Sequence, residues 1–118
     1  MIGKARLRGK FMATKTYNKL VRDLIPDIIL KSGKTCRTRI LTDEEYLKSL
    51  DAKLDEELAE YHRDGSIEEL ADLLELIQAS AIARGYTLEN LETVRFEKAN
   101  ERGGFENKVF LIDVTEQN

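Results

Sequence analysis

Four carboxylates have the types and spacing needed to hold a cation. They are Glu57, Glu60, Glu69 and Asp72, in the stretch E-E-L-A-E-Y-H-R-D-G-S-I-E-E-L-A-D. Each pair is spaced i, i+3, which sets both members on one face of a helix. The polar break H-R-D-G between the pairs lets the second helix fold back on the first. Facing helices then aim four acidic groups into one pocket. Such a cluster repels itself unless a positive charge compensates. Hard oxygen ligands with no His or Cys cluster beside them point to Mg²⁺, with Mn²⁺ as a substitute. Part of the acidity reads more plainly: Glu56, Glu68 and Glu75 fit solvated helix faces, and Glu69 also sits at the third helical position of a capping box opened by Ser66.

The elements that must position these groups are mainly helical. Leu20, Val21, Leu24, Ile25, Ile28 and Ile29 recur at helical spacing. Pro26 interrupts them, so it either ends a short turn or opens the following segment at its first position. Ser32-Gly33 closes that helix. Thr35 to Leu41 alternates and is rich in β-formers, which predicts a short strand. Thr42-Asp43-Glu44-Glu45 is a capping box that opens a long helix. Its apolar stripe is Leu47, Leu50, Leu54, Leu58 and Tyr61, with Glu57 and Glu60 at the stripe's edge. Gly65 breaks this helix, and Ser66 opens another that runs to about Arg84. The second helix is apolar over more than half its circumference, which predicts cover on more than one side, with a partner subunit as the cover. Gly85 ends it. Thr87 caps a last helix running to about Arg102, Arg102 to Phe105 form a hinge, and Lys108 to Val114 reads as a second strand able to pair with Thr35–Leu41.

Composition narrows the function classes. At 118 residues with 35% charged and 7% aromatic residues and no Trp, the chain reads as one surface-rich helical domain. Residues 1–14 read as a flexible basic arm, 15–114 as the domain, and 115–118 as a frayed tail. A net charge of −3 argues against a general nucleic-acid binder, and the basic arm alone does not reverse that. The single Cys36 excludes an internal disulfide framework and suits a cytoplasmic protein. No apolar run is long enough to span a membrane. His62 reads as an exposed residue near a helix end, and Cys36 as an apolar filler.

The acidic stretch resembles the ExxE…ExxD signature of the MazG-like all-α nucleoside triphosphate pyrophosphohydrolases. Two flanks sharpen the likeness. Y-N-K-L-V-R-D-L-I-P at Tyr17–Pro26 and F-E-K-A-N-E-R-G-G-F at Phe96–Phe105 look like the predicted house-cleaning branch of that superfamily. The resemblance runs from about Tyr17 to Leu111 and leaves the arm outside it. It implies an antiparallel helical bundle completed by oligomerisation, as a homodimer or dimer of dimers, here with the small two-stranded β element. It implies hydrolysis of noncanonical or excess NTPs to NMP and pyrophosphate, with Mg²⁺ on Glu57, Glu60, Glu69 and Asp72. By matching motif positions, Lys19, Arg22, Lys98 and Arg102 would bind the substrate phosphates. Glu57 or Glu60 would orient or deprotonate the attacking water as the catalytic residue.

Other readings stay open at the level of sequence. Lys19 and Arg22 also fit the wet face of a helix, and Lys98 and Arg102 fit a helix C-terminus, where cations complement the macrodipole. Phosphoribosyl-ATP pyrophosphohydrolase shares the fold and the acidic logic. A non-catalytic helical interaction module, dimerising through residues 67–84, would need the carboxylates only for solubility.

Overall fold

The computed structural model of the chain describes residues 13–117. Most of the expected arm, residues 1–12, and the last residue of the expected tail lie outside the described residues. The described residues form α1 (Ile25–Lys31), α2 (Asp43–Asp64), α3 (Ile67–Ala83) and α4 (Leu88–Arg102). The chain divides within α2, after Ser49, into two compact units.

In the first unit, Pro26 falls in the first turn of α1, where its missing N–H costs nothing. The helical period upstream of it is not realised. Residues 20–24 lie outside any helix, and the Ile25 N–H donates to the Arg22 carbonyl in a turn. Gly33, at φ +89°, ends α1 by taking the left-handed conformation, and the Lys34 N–H reaches back to the Ile29 carbonyl. The strand expected at Thr35–Leu41 does not form, and Ile40 is 94% exposed.

The start of α2 follows the expected capping box. The Glu45 N–H donates to Thr42 Oγ1 at 3.2 Å, and the Thr42 N–H donates to Glu45 Oε1 at 3.0 Å. Arg39 adds a two-pronged contact to the same carboxylate, at 3.0 and 3.1 Å. These donors favour the charged form, so Glu45 is held at about 2, chiefly by the Arg39 hydrogen bond and then by the Thr42 N–H.

In the second unit, α2 and α3 form an antiparallel hairpin. Gly65, at φ +63°, makes the sharp reversal and donates its N–H to the Tyr61 carbonyl. At the far end Arg84 lies 3.8 Å from Asp51. Among the described residues, Leu50 is the fully buried apolar side chain, at 1% exposure. Along α2 the sheltered line runs Leu50, Leu54, Glu57, Tyr61, while Leu58, placed by its period on the stripe, is exposed. Glu57 therefore stands on the inward line itself rather than at its edge. On α3 the sheltered line includes Glu69, Asp72, Leu73, Leu76 and Ser80. Its opposite side, Ile67, Leu70, Leu74 and Ile77, is exposed, Ile67 by 71%.

A short link brings α4 back against α3. Thr87 and Asn90 form a reciprocal cap at its start, with both hydrogen bonds at 3.0 Å. After Gly103 the chain carries no further regular element among the described residues. The expected second strand is absent there, and Val109, Phe110, Leu111, Ile112 and Val114 are all exposed. A lone pair of strands lacks the burial to be stable by itself, which accounts for both missing strands. No helix among the described residues is long and apolar enough to cross a membrane.

The low Glu45 value sets a sign. Its contribution is full above the ordinary glutamate value of 4.5 and is lost as the pH falls toward about 2. Thermal unfolding across that window should show the parent losing stability more steeply than Glu45→Gln, which has no proton to take up there.

Candidate metal centre

The acidic cluster is built on the sheltered line of α2. Leu50, Leu54 and Tyr61 turn that line away from solvent and carry Glu57 with it, at 7% exposure. One helical turn on, Glu60 lies half-buried. Glu56, Glu57 and Glu60 each offer an oxygen within 4.8 Å of the others. The sequence reading of Glu56 as a solvated face is corrected here, since it is half-buried within the cluster. Its i, i+4 spacing to Glu60 was the available signal.

The hairpin adds a partner from α3. Asp72 is the carboxyl that α3 brings toward Glu57. Burial is the first cause that raises the Glu57 carboxyl above its ordinary value. The charge on Glu60 and the neighbouring Asp72 push the same way, while Lys53 opposes them. Lys53 is the internal counter-charge, with its Nζ 3.0 Å from Glu56 and 3.9 Å from Glu57.

Glu69 has a different local duty. Its N–H donates to Ser66 Oγ at 3.4 Å, and the Ser66 hydroxyl donates back to the Glu69 carboxylate. This cap differs from the expected box, in which the carboxylate would take the Ser66 N–H. Glu57, Glu60 and Asp72 thus gather with Glu56 and Lys53, while Glu69 is held to the first turn of α3.

The four expected phosphate-binding cations are all exposed. Lys98 and Arg102 lie on the last turns of α4, where Arg102 Nε is 3.5 Å from Glu101. Lys19 and Arg22 precede α1 in the other unit and also make side-chain or backbone interactions of their own.

The donor set fits a hard divalent ion. It is all oxygen, anionic and partly desolvated, and the Lys53 ammonium is its present compensation. A cation would take over that task, and its binding would weaken as the pH falls, because the carboxyls must be charged to ligate it.

Over 54 residues the chain is 52% identical to a protein of Mycolicibacterium smegmatis described as an uncharacterized protein. The match takes in 42% of this chain and 55% of that one, so the chain spans about half the length of the curated relative it matches. No protein-family model matches the chain. No solved structure matches it either. Carboxylate geometry and motif resemblance, rather than established kinship, therefore carry the functional argument.

The raised Glu57 predicts an inverted pH response. Its contribution to stability is greatest below the ordinary glutamate value and is lost as the pH rises through its raised one. Without divalent ions, Glu57→Gln should be more stable than the parent at neutral pH, by something on the order of 1 kcal/mol. Denaturant titrations in EDTA at falling pH should show that difference shrinking. A variant less stable than the parent at neutral pH would contradict the assignment.

Proposed function

We propose that this protein is a Mg²⁺-dependent nucleoside triphosphate pyrophosphohydrolase, acting on noncanonical NTPs in a house-cleaning role. The observation that carries the reading is the buried Glu57, set toward Asp72 across the hairpin and flanked by Glu56 and Glu60. A carboxylate cluster sheltered at this cost is hard to account for as a solubilising surface. The resemblance of the acidic stretch and its two flanks to MazG-like enzymes supplies the choice of reaction.

Glu57, Glu60 and Asp72 would hold the ion, with Glu56 beside them and Glu69 joining if it leaves its cap. When bound, Mg²⁺ would supply the positive charge that offsets the repulsion between the acidic site and its substrate. Glu57 or Glu60 takes a proton from the attacking water, and burial beside Glu60 raises the proton affinity of Glu57. The water oxygen bonds to the α-phosphorus, the bond to the bridging oxygen breaks, and pyrophosphate leaves. The motif resemblance would give the phosphate charge to Lys19, Arg22, Lys98 and Arg102, with arginine suited to two-pronged contacts. Within the proposal the protein works as a homo-oligomer. Its support is the exposed series Ile67, Leu70, Leu74, Ile77, whose alternating steps of three and four make a helix-pairing seam.

A panel of NTPs and phosphoribosyl-ATP, incubated with the protein and Mg²⁺, tests the reading by pyrophosphate release. Release is expected from a noncanonical NTP. Asp72→Asn and Glu60→Gln should each cut turnover by about 100-fold or more while leaving the fold intact. Release from phosphoribosyl-ATP alone would reassign the substrate. An absence of release at every Mg²⁺ concentration, or folded variants that match the parent, would leave the interaction-module reading in its place.

A further inference from the structure

Two segments of this chain have the composition of strands and are unpaired. One is residues 34–41, K-T-C-R-T-R-I-L, and the other is residues 109–116, V-F-L-I-D-V-T-E. Neither lies in a helix or strand. Ile40 is 94% exposed, Phe110 87% and Ile112 85%. Apolar, β-prone segments left open in this way are templates for pairing with another chain.

Their charges are opposite. The first carries Lys34, Arg37 and Arg39 and no acid, and the second carries Asp113 and Glu116 and no base. One antiparallel register satisfies charge and hydrophobicity together. With Thr38 opposite Ile112, one face carries Lys34 against Glu116, Cys36 against Val114, and Ile40 against Phe110. The other face carries Arg37 against Asp113 and Leu41 against Val109. Arg39 comes opposite Leu111 on that face, with its guanidinium already held by Glu45. A one-residue slip in either direction sets Arg37 across from Ile112 or Val114 and loses the opposite-charge pairs.

We infer that residues 34–41 of one copy pair with residues 109–116 of a second copy, reciprocally, in a two-fold strand exchange. Each copy gives one strand and receives one, so the contact closes on itself as a dimer rather than propagating as a fibre. Neither segment is in a strand among the described residues, and the exchange supplies main-chain partners to both. It also covers the row of apolar side chains from Val109 to Val114. The inference is independent of the proposed activity.

Two measurements test it on the full chain. First, Val114→Cys sets a thiol opposite Cys36, the single native cysteine. A short bis-maleimide should then give a covalent dimer from Val114→Cys and none from the parent. A bridge closing within one chain, or no bridge, would overturn the inference. Second, Arg37→Asp sets like charges together at both exchanged pairs. It should weaken dimerisation by about tenfold in sedimentation equilibrium. Adding Asp113→Arg to that variant should restore it. A double variant no tighter than Arg37→Asp alone would refute the register and the exchange with it.

Discussion

The cost of keeping like charges together out of water governs the second unit of this protein. Glu57 stands where an aliphatic residue would suit the line set by Leu50, Leu54 and Tyr61. Its neighbours Glu56 and Glu60, together with Asp72 from the facing helix, make the position worse for an anion. Lys53 meets part of this cost, and the remainder raises the Glu57 carboxyl above its ordinary value. A divalent cation would meet it more fully, and that is the physical basis of the proposed activity. The Gly65 reversal matters for the same reason, because without it Asp72 would not reach Glu57.

A second constraint is apolar. The hairpin shelters one side of α3, and α4 packs on the same helix. Ile67, Leu70, Leu74 and Ile77 nevertheless remain open, as do Ile40 and the row from Val109 to Val114. Each of these sets has a period that specifies its kind of partner. Steps of three and four ask for another helix, and alternation with complementary charge asks for another strand. Both proposals made from them are answered by a second copy of the chain.

Local chemistry explains which parts of the fold were legible in the sequence. Thr42 with Glu45, Ser66 with Glu69 and Thr87 announced three helix starts, because capping depends on residues only three apart. Gly65 and Gly85 announced helix ends for the same reason. The failures needed information from farther away. Leu20 to Leu24 has a helical period, but Pro26 lets the helix begin only at Ile25. The two segments with strand composition require a partner edge, which local pattern cannot supply. At the site, the i, i+3 pairs were visible, and so was the meeting of α2 with α3. Glu56 and Lys53 were overlooked because the rotation of α2 is set by which line Leu50 buries. That rotation moved Glu57 inward and Leu58 outward, and it brought Glu56 and Lys53 alongside.

Calorimetric titration of the protein with Mg²⁺ at neutral pH, repeated at falling pH, reads the cation site directly. The account predicts saturable binding that weakens as the pH falls and is lost in Glu57→Gln. No binding at neutral pH, or binding unchanged in Glu57→Gln, would contradict it.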